Sequence, residues 1–453
     1  MTASTRLAEF IVHTRLADCP AAALAAVRRA TLDSLGVTLA GAGEPVARIV
    51  RRVLRAEGGT PLCTVIGTRM RANLTGAALA NGAAGHAHDF DDTSFTLMGH
   101  PSVPLLAASL ATAEAEMRDG ARVVLAYITG FEVGAALGAA ANPTHYERGW
   151  HATSSIGSLA CAAAASCLLE LDVDATRRAL GIAASLASGL KENFGSMTKP
   201  FHAGHAARNG VWAALLAREG LSASATALDG RQGYFAAFGG EGRLAALLEP
   251  LGRRWQLVEP GIAVKPYPSC ALTHSAIDAL IDLRRRHHLD PEHVAQIEVG
   301  VTRVVPGVLI HAQPTTGLER KFSMPFCAAA ALAEGRVDLD TFEDGPPRPA
   351  LDKLMARISM VVDPSLPEER EQHAWSRVTL RLSDGRTLVS PPRGARGHPD
   401  QPLSEAALRA KFLACAARIL PGPEAEAVAD QIADLEHIPD VRALTARLTG
   451  DLD

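Results

Sequence analysis

Long segments built mainly from Ala, Gly, Leu and Ser constrain the fold of this chain more than any other sequence feature. They begin where Leu32, Leu35 and Leu39 recur at helical spacing. Helices whose faces carry only small side chains can bring their axes close together. The first 260 residues therefore predict a tightly packed, all-helical body. Further predicted helices of this kind span residues 101–117, 123–141, 156–171, 176–189 and 203–219.

The pattern changes near residue 260, where short segments with strand-like alternation appear between helices. Ile297, Val299 and Val301 alternate with polar residues, and an Asp-Gly pair at 384–385 is typical of a hairpin turn. After a loop at 391–402, Ser404 can cap a final helical segment that we expect to pack on the first body. The predicted fold is mainly α: a large helical domain (1–264 and 404–453) with an inserted, smaller α+β lid domain (265–403).

Composition excludes several classes of protein. The chain has 453 residues, of which 47% are hydrophobic and 21% charged, so extensive disorder is excluded. A net charge of −4 and an aromatic content of 4% argue against a nucleic-acid partner. Seven cysteines without a CxxC pair argue against a disulfide framework or a structural zinc site. No signal peptide is recognisable, and the uncharged stretch 152–169 is interpreted as a buried helix, so we expect a cytoplasmic protein without a membrane span.

The densest polar cluster is HAHDFDD at 86–92, followed by His100. His and Asp this close together can perform acid/base chemistry, because a carboxylate can orient an imidazole and stabilise its charge. They can also bind a metal ion, with His86, His88 and Asp89 as the candidate ligands. A solvated helix end with a capping Asp is the third possibility. The local sequence alone leaves all three open.

Three other positions are candidates for function. His151 follows a polar, aromatic stretch and precedes an Ala-rich helix that Thr153 or Ser154 could cap. Lys199 and Lys265 each precede a proline, which disfavours helix and predicts extended backbone at both lysines. Such lysines can direct their ammonium groups towards an anion in a cleft.

Several longer strings resemble the MmgE/PrpD family, which includes 2-methylcitrate dehydratase, cis-aconitate decarboxylase and iminodisuccinate epimerase. The resemblance implies a helical domain with an α+β lid, a homodimer, small di- or tricarboxylate substrates, and no metal or organic cofactor. The matching strings are DFDDT (89–93), GHPS (99–102), GWHATSSIG (149–157), MTKPFHAGHAARNG (197–210), VKPYPSCALTH (264–274), KFSMPF (321–326) and GHPDQPLS (397–404).

The resemblance also implies roles for individual residues. His100, oriented by Asp89, would transfer protons, and His151 would be a second proton carrier or an oxyanion donor. Lys199 and Lys265 would hold carboxylates and stabilise an enolate-like charge, the latter as the lid closes. The remaining assignments are Tyr146 as a weaker candidate acid, and Thr93, Cys270 and Lys321 as substrate-binding residues.

One departure from the family pattern bears on the reaction. Cys270 stands where cis-aconitate decarboxylase has a His, and the spacing from Thr93 to His100 is one residue longer, which weighs against decarboxylation. The sequence therefore predicts a lyase of the 2-methylcitrate dehydratase type, with a decarboxylase or an epimerase as alternatives. Two other classes stay open: a metal-dependent hydrolase that uses His86, His88 and Asp89, and a non-catalytic helical binding protein.

Overall fold

The computed structural model describes residues 2–240, 244–345, 348–368 and 374–452. The chain forms two compact units. Unit 1 consists of Met1–Ala87, Asp91–Ile262 and Ser404–Asp453, and unit 2 consists of His88–Phe90 and Ala263–Leu403. The chain thus leaves the helical unit after residue 262 and returns to it at residue 404.

Unit 1 is almost entirely helical. It contains one two-stranded antiparallel ribbon, β1 (Cys63–Thr64) with β2 (Arg71–Ala72). Its α-helices, within the described residues, are α1 (Ala3–His13), α2 (Ala21–Gly41), α3 (Pro45–Glu57), α4 (Leu74–Gly85), α5 (Ser102–Ala115), α6 (Gly120–Ala141), α7 (Thr144–Glu147), α8 (Ala152–Leu168), α9 (Val173–Leu186), α10 (Thr198–Arg218), α11 (Tyr234–Phe238), α12 (Leu244–Leu248), α17 (Glu405–Ala416), α18 (Gly422–Ala433) and α19 (Arg442–Thr445).

Small residues bring the helices of unit 1 together, as their sequences predict. A Cβ atom added to Gly82 of α4 would lie 2.6 Å from the Cα of Gly204 in α10. On the same helix, a Cβ atom at Gly210 would lie 2.3 Å from the Cβ of Cys161 in α8. Any larger side chain would push these helices apart. The close approach of α10 to both α4 and α8 matters below, because all three helices carry functional side chains near their ends.

The C-terminal helices complete unit 1. Ser404 caps α17 by accepting a hydrogen bond from the backbone N–H of Ala407. Phe412 packs against Gly36 of α2, where an added Cβ atom would lie 3.1 Å from the ring. Lys411 forms a buried ion pair with Asp33 at 2.5 Å. The last helical segment therefore returns to the first body, as expected.

Unit 2 is built on a four-stranded sheet in the order β4-β3-β5-β6. β3 pairs in parallel with β4 and antiparallel with β5, and β5 pairs antiparallel with β6. Ile297, Val299 and Val301 are buried, as their alternation predicts. Ile358, Met360 and Val362 alternate with other residues in the same way along the edge strand β4, but they are less buried, and Val362 is 45% exposed. The elements are β3 (Val294–Val301), β4 (Ile358–Val362), β5 (Ser376–Leu382), β6 (Thr387–Val389), α13 (His274–His287), α14 (Gly317–Arg320), α15 (Met324–Glu334) and α16 (Pro349–Met355).

One helix of the described residues, α6, is long and apolar enough to cross a membrane by length and composition alone. Its apolar window is 94% buried inside the protein, which is typical of the core helix of a soluble domain. The uncharged α8 is likewise buried along its whole length, which confirms its interpretation as a core helix.

Candidate active site

Two imidazoles of unit 1 share one buried carboxylate. His86 follows the last residue of α4, and His100 lies two residues before α5. His86 Nδ1 is 2.8 Å from Asp91 Oδ1, and His100 Nδ1 is 3.3 Å from Asp91 Oδ2. The two rings meet edge to face with their centroids 4.4 Å apart. Asp91 therefore contacts both rings, a pairing that the sequence did not predict, and the orientation of His100 by Asp89 stays a prediction.

Protonation states follow from these contacts. Burial by itself would raise the pKa of Asp91, but His100 and His86 together lower this pKa well below its usual range. The carboxylate is ionised and can only accept hydrogen bonds. His86 therefore donates its Nδ1–H to Asp91, and the negative charge of Asp91 also favours a proton on Nδ1 of His100, a tautomer that leaves the lone pair of the neutral ring on Nε2. At His100 this arrangement produces a general base that a carboxylate orients.

Lys199 supplies a buried positive charge beside this pair. Its Nζ lies 3.0 Å from His86 Nε2, the atom that carries the lone pair. Burial and Lys199 lower the pKa of His86 to about 4, although Asp91 opposes this shift. His86 is thus neutral near pH 7 and connects the ammonium group to the carboxylate. Only 4% of Lys199 is exposed.

The backbone at Lys199 is helical, whereas the following proline predicted extended backbone. Lys199 is the second residue of α10, and Pro200 follows within the first turn. Proline is tolerated there because the N–H groups of a first turn have no partner inside the helix. Lys199 lies in the first turn of α10. The close approach of Gly204 in α10 to Gly82 in α4 brings this helix near α4, whose last residue directly precedes His86.

His151 lies at the N-terminal end of α8 and belongs to the same cluster. Its ring stacks on His86 with centroids 6.0 Å apart and contacts the edge of Phe194 at 4.9 Å. Burial, followed by the charge of Lys199, lowers the pKa of His151 well below its usual range. His151 is therefore neutral near pH 7 and can donate one hydrogen bond to a developing anion.

Thr153 was expected to cap α8, but its hydroxyl has another partner. It accepts a hydrogen bond of 2.9 Å from the backbone N–H of His100. His151 itself occupies the N-cap position of α8, and no side chain caps the helix. Thr153 thus connects the start of α8 to the segment that carries the base.

Asp92 follows Asp91 in sequence but faces the start of α5. Its Oδ1 accepts a hydrogen bond of 3.2 Å from the backbone N–H of Ser102, and its Oδ2 contacts the hydroxyl of Ser102, which also contacts Tyr127. Burial and the nearby carboxylate of Asp33 raise the pKa of Asp92 to about 8. Asp92 is therefore protonated at neutral pH.

Unit 2 contains a second set of predicted residues. Lys265 Nζ donates a 2.7 Å hydrogen bond to the carbonyl of Asp89 and lies 3.0 Å from the Asp89 carboxylate. Lys321 Nζ donates to the carbonyl oxygens of His88 and Pro268, at 2.9 and 3.0 Å. Both lysines are buried, and Asp89 has a left-handed backbone, with φ of 52°.

The other predicted residues have different surroundings. Half-buried Cys270 donates its backbone N–H to the carbonyl of Lys321. The Thr93 hydroxyl is buried and, among the described residues, accepts and donates no hydrogen bond. The ring of Tyr146 lies under Lys191 Nζ at 3.6 Å, and the aromatic ring beside His151 is Phe194.

The structure thus brings together His100, His151 and Lys199 in unit 1, and it adds two residues that sequence reasoning assigned differently or missed. Asp91 was available as one of three carboxylates in the DFDD string. His86 was considered as a metal ligand, and in the structure it contacts Asp91 and Lys199. The result is a buried cluster with a base, a neutral hydrogen-bond donor and a fixed cation, which defines an acid/base site suited to anionic substrates.

Comparisons with known proteins agree with this class of site. Residues 5–246 match the MmgE/PrpD N-terminal domain, and residues 267–437 match the MmgE/PrpD C-terminal domain. The chain therefore belongs to the MmgE/PrpD family, as its motifs predicted.

Named relatives align over nearly the whole chain. The cis-aconitate decarboxylase of Homo sapiens is 32% identical over 436 residues, which cover 93% of this chain and 89% of the relative. A cis-aconitate decarboxylase-like protein of Aspergillus oryzae is 28% identical and covers 99% of this chain and 98% of its own length. The cis-aconitate decarboxylase of Aspergillus terreus is 26% identical, with coverage of 94% and 92%.

Proposed function

We propose that this protein is a lyase that acts on a small di- or tricarboxylate without a metal or organic cofactor. The observation that carries this proposal is the buried cluster of Asp91, His100, Lys199 and His151. Breaking a bond next to a carboxylate leaves negative charge on carbon, and fixed cations and hydrogen-bond donors in a dry site stabilise such charge. Lys199 provides the cation and His151 the neutral donor.

Decarboxylation of a cis-aconitate-like substrate is the reaction we favour, because the relatives with this printed activity align along almost the full chain. In this reaction the bond from carbon to the leaving carboxylate breaks, CO₂ departs, and the electron pair stays on carbon. His100 then transfers a proton to that carbon from its imidazolium form, which Asp91 stabilises. Solvent restores the proton to His100.

Dehydration of the 2-methylcitrate type is the second candidate, and the cysteine at position 270 supports it. Here neutral His100 would remove a proton from the carbon next to a carboxylate, and hydroxide would leave with a proton from a donor in the cluster. The pair of Asp91 and His100 can act as imidazole base or as imidazolium acid, so the two reactions differ in the starting protonation state. An epimerase would need the same base and a donor on the opposite face of the carbon.

A proton-exchange experiment distinguishes these reactions. The purified chain is incubated in D₂O with cis-aconitate, 2-methylcitrate and iminodisuccinate separately, and the products are followed by ¹H and ¹³C NMR. Decarboxylation produces CO₂ and a deuterated dicarboxylate, dehydration produces an unsaturated tricarboxylate, and epimerisation exchanges one C–H without loss of mass. Turnover of none of these substrates, with no C–H exchange across a broader acid panel, would favour the non-catalytic binding protein.

A chelation control addresses the metal-dependent alternative. We expect activity to survive exhaustive chelation, with the eluted protein checked by elemental analysis. Activity that disappears on chelation and returns with one added metal ion would instead support a metal-dependent hydrolase with His86, His88 and Asp89 as ligands.

We further propose that the chain acts as a homodimer in the cytoplasm. Exposed apolar side chains on unit 1 support an association surface: Met197 at the N-cap of α10 is 43% exposed, Trp212 of α10 is 48% exposed, and Val53 of α3 is 51% exposed. Light scattering coupled to size exclusion is expected to report twice the chain mass of 47.5 kDa. A mass of one chain at micromolar concentration would reject the dimer.

A further inference from the structure

His151 is in direct contact with a second buried imidazole that sequence analysis did not consider. His202 follows Lys199 by three residues on α10, and its Nδ1 lies 3.0 Å from Nδ1 of His151. Both residues are buried, with exposed fractions of 5% and 2%. The contact joins α10 to the N-terminal end of α8, the same two helices that meet at Gly210.

The proton count of this pair restricts its arrangement. Burial lowers the pKa of His202 to about 4 and that of His151 well below its usual range, so near pH 7 each ring is neutral and carries one N–H. Two lone pairs that face each other at 3.0 Å would repel. One ring must therefore donate from Nδ1 and the other must accept at Nδ1, so the two rings hold opposite tautomers.

We propose that His202 donates its Nδ1–H to Nδ1 of His151, and that His202 is thereby a positioning residue that makes His151 present Nε2–H to the substrate. The proposal rests on the lyase function proposed above, because it assigns His151 as the donor in that reaction. In this arrangement, His202 keeps its lone pair on Nε2 and does not contact the substrate.

A comparison with His100 supports this direction of the hydrogen bond between His202 and His151. Asp91 can only accept, and its charge, 3.3 Å from His100 Nδ1, favours a proton on that nitrogen and the lone pair of the ring on Nε2. Within the part of the chain that the structure describes, no carboxylate lies within ion-pair distance of His151. An imidazole partner can donate, which a carboxylate cannot. It allows His151 to adopt the opposite tautomer, so the site contains one acceptor and one donor at Nε2.

Backbone hydrogen bonds already hold the main chain of His151 in place, so the contact with His202 acts on the side chain alone. The N–H of His151 donates to the carbonyl of Gly189 at 3.0 Å, and its carbonyl accepts from the N–H groups of Ser154 and Ser155. Lys199 keeps the ring neutral by repelling an added proton. The remaining variable at His151 is which ring nitrogen carries the hydrogen, and the hydrogen bond with His202 determines this tautomer.

The test uses two substitutions of His202 and a matched control on the same helix. His202→Asn retains an amide N–H near the position of Nδ1, whereas His202→Leu removes the donor. His205→Asn changes the next histidine of α10, whose Nε2 contacts Ser188 and Asn209. Thermal melting establishes that each variant is folded. Ring nitrogen shifts of ¹⁵N-histidine-labelled protein report the tautomer of His151, assigned by the signals lost in His151→Gln.

We expect His151 to be in the Nε2–H tautomer in the wild type and in His202→Asn, and to become a mixture in His202→Leu. The kcat of His202→Leu is expected to fall by about 10²-fold with KM changed less than about threefold, because a proton donor is lost while the cation that binds substrate stays. His202→Asn should recover most of this loss, and His205→Asn should match the wild type.

Two results would overturn the proposal: the Nδ1–H tautomer of His151 in folded wild-type protein, or an unchanged tautomer and kcat in folded His202→Leu. The NMR measurement needs no turnover, so it separates the two proposals. An inactive protein with the Nε2–H tautomer at His151 would count against the lyase function and leave the role of His202 supported.

Discussion

Asp91 and Asp92 are consecutive residues in unit 1, and both side chains are fully buried. They face different surroundings. Asp91 meets two imidazoles, which lower its pKa, whereas Asp92 meets a serine, a backbone N–H and the field of another carboxylate, and its pKa rises to about 8. Equal burial therefore leads to different charge states, an ionised Asp91 and a neutral Asp92, because the partners of each carboxyl group decide which protonation state is stabilised.

The largest expected effect comes from Asp91→Asn. The amide would face two ring nitrogens with one donor and one acceptor, so His100 could no longer rely on an acceptor at Nδ1. We expect kcat/KM to fall by about 10³-fold, within the range for loss of an oriented proton-transfer group. Steady-state kinetics measures the loss, and circular dichroism checks the fold. Near-normal activity in folded Asp91→Asn would remove Asp91 from the mechanism.

Replacing the cation is expected to have the next largest effect. Lys199→Met keeps most of the side-chain volume but removes the ammonium group that lies 3.0 Å from His86. We predict that kcat/KM falls by about 10²-fold, because a preorganised charge next to the developing anion is lost. The exposed Lys353, 154 residues away on α16, serves as the control: Lys353→Met should behave as the wild type.

Stability against pH sharpens the comparison further. The folded pKa of Asp92 lies above its unfolded value, so its contribution is present below about pH 4 and is lost as the pH rises through about 8. For Asp91 the folded pKa is lowered, so its contribution is present at neutral pH and is lost as the pH falls below its unfolded value of 3.8.

His86 acts in the opposite direction to Asp92 over part of this range. Its folded pKa of about 4 lies below the ordinary value of 6.5, so acidification between these values favours the unfolded chain. Because the contribution of protonated Asp92 is lost as the pH rises, we expect Asp92→Asn to gain stability relative to the wild type from pH 5 to pH 8. Thermal melting of the two proteins side by side measures this difference in Tm. A constant difference in Tm over this interval would contradict a protonated Asp92.

The smallest effect on catalysis is expected for Asp92→Asn. A protonated carboxyl and an amide offer the same donor and acceptor, so the contacts with the hydroxyl and N–H of Ser102 can persist. We predict kcat/KM within about threefold of the wild type, in line with a substitution that leaves the hydrogen bonds intact. Asp92→Ala is the counterpart, because it removes both contacts and should loosen the start of α5. Strong inactivation of folded Asp92→Asn would mean that the charge of this residue is required.

Much of the fold could be predicted from local pattern. The five helices predicted between residues 101 and 219 lie within about five residues of the observed ends of α5, α6, α8, α9 and α10, since apolar spacing and small-residue faces are local properties of the chain. The strand around Val299 was recognised by the alternation of apolar and polar residues. Alternation did not predict that Val362 would be 45% exposed, because it does not reveal which strand lies at the edge of a sheet.

The site was predicted less completely. His100, His151 and Lys199 stood out because polar groups interrupt Ala-rich segments, but the choice among Asp89, Asp91 and Asp92 was not available from their spacing. These residues lie outside regular helix or strand, and Asp89 adopts a left-handed backbone. Side-chain direction in such a segment follows no period, so the contact of Asp91 with both His86 and His100 could not be predicted.

Chain pattern alone was sufficient to identify a mainly helical protein of the MmgE/PrpD family and to single out Lys199, His100 and His151 as candidate site residues, because periodicity and long motifs are properties of neighbouring residues. Folding established which carboxylate is charged, which imidazole faces it, and that His202 contacts His151 across 51 positions. Those facts depend on helices that approach through glycine and on the low-dielectric interior that they create. Neither exists until distant parts of the chain are packed together.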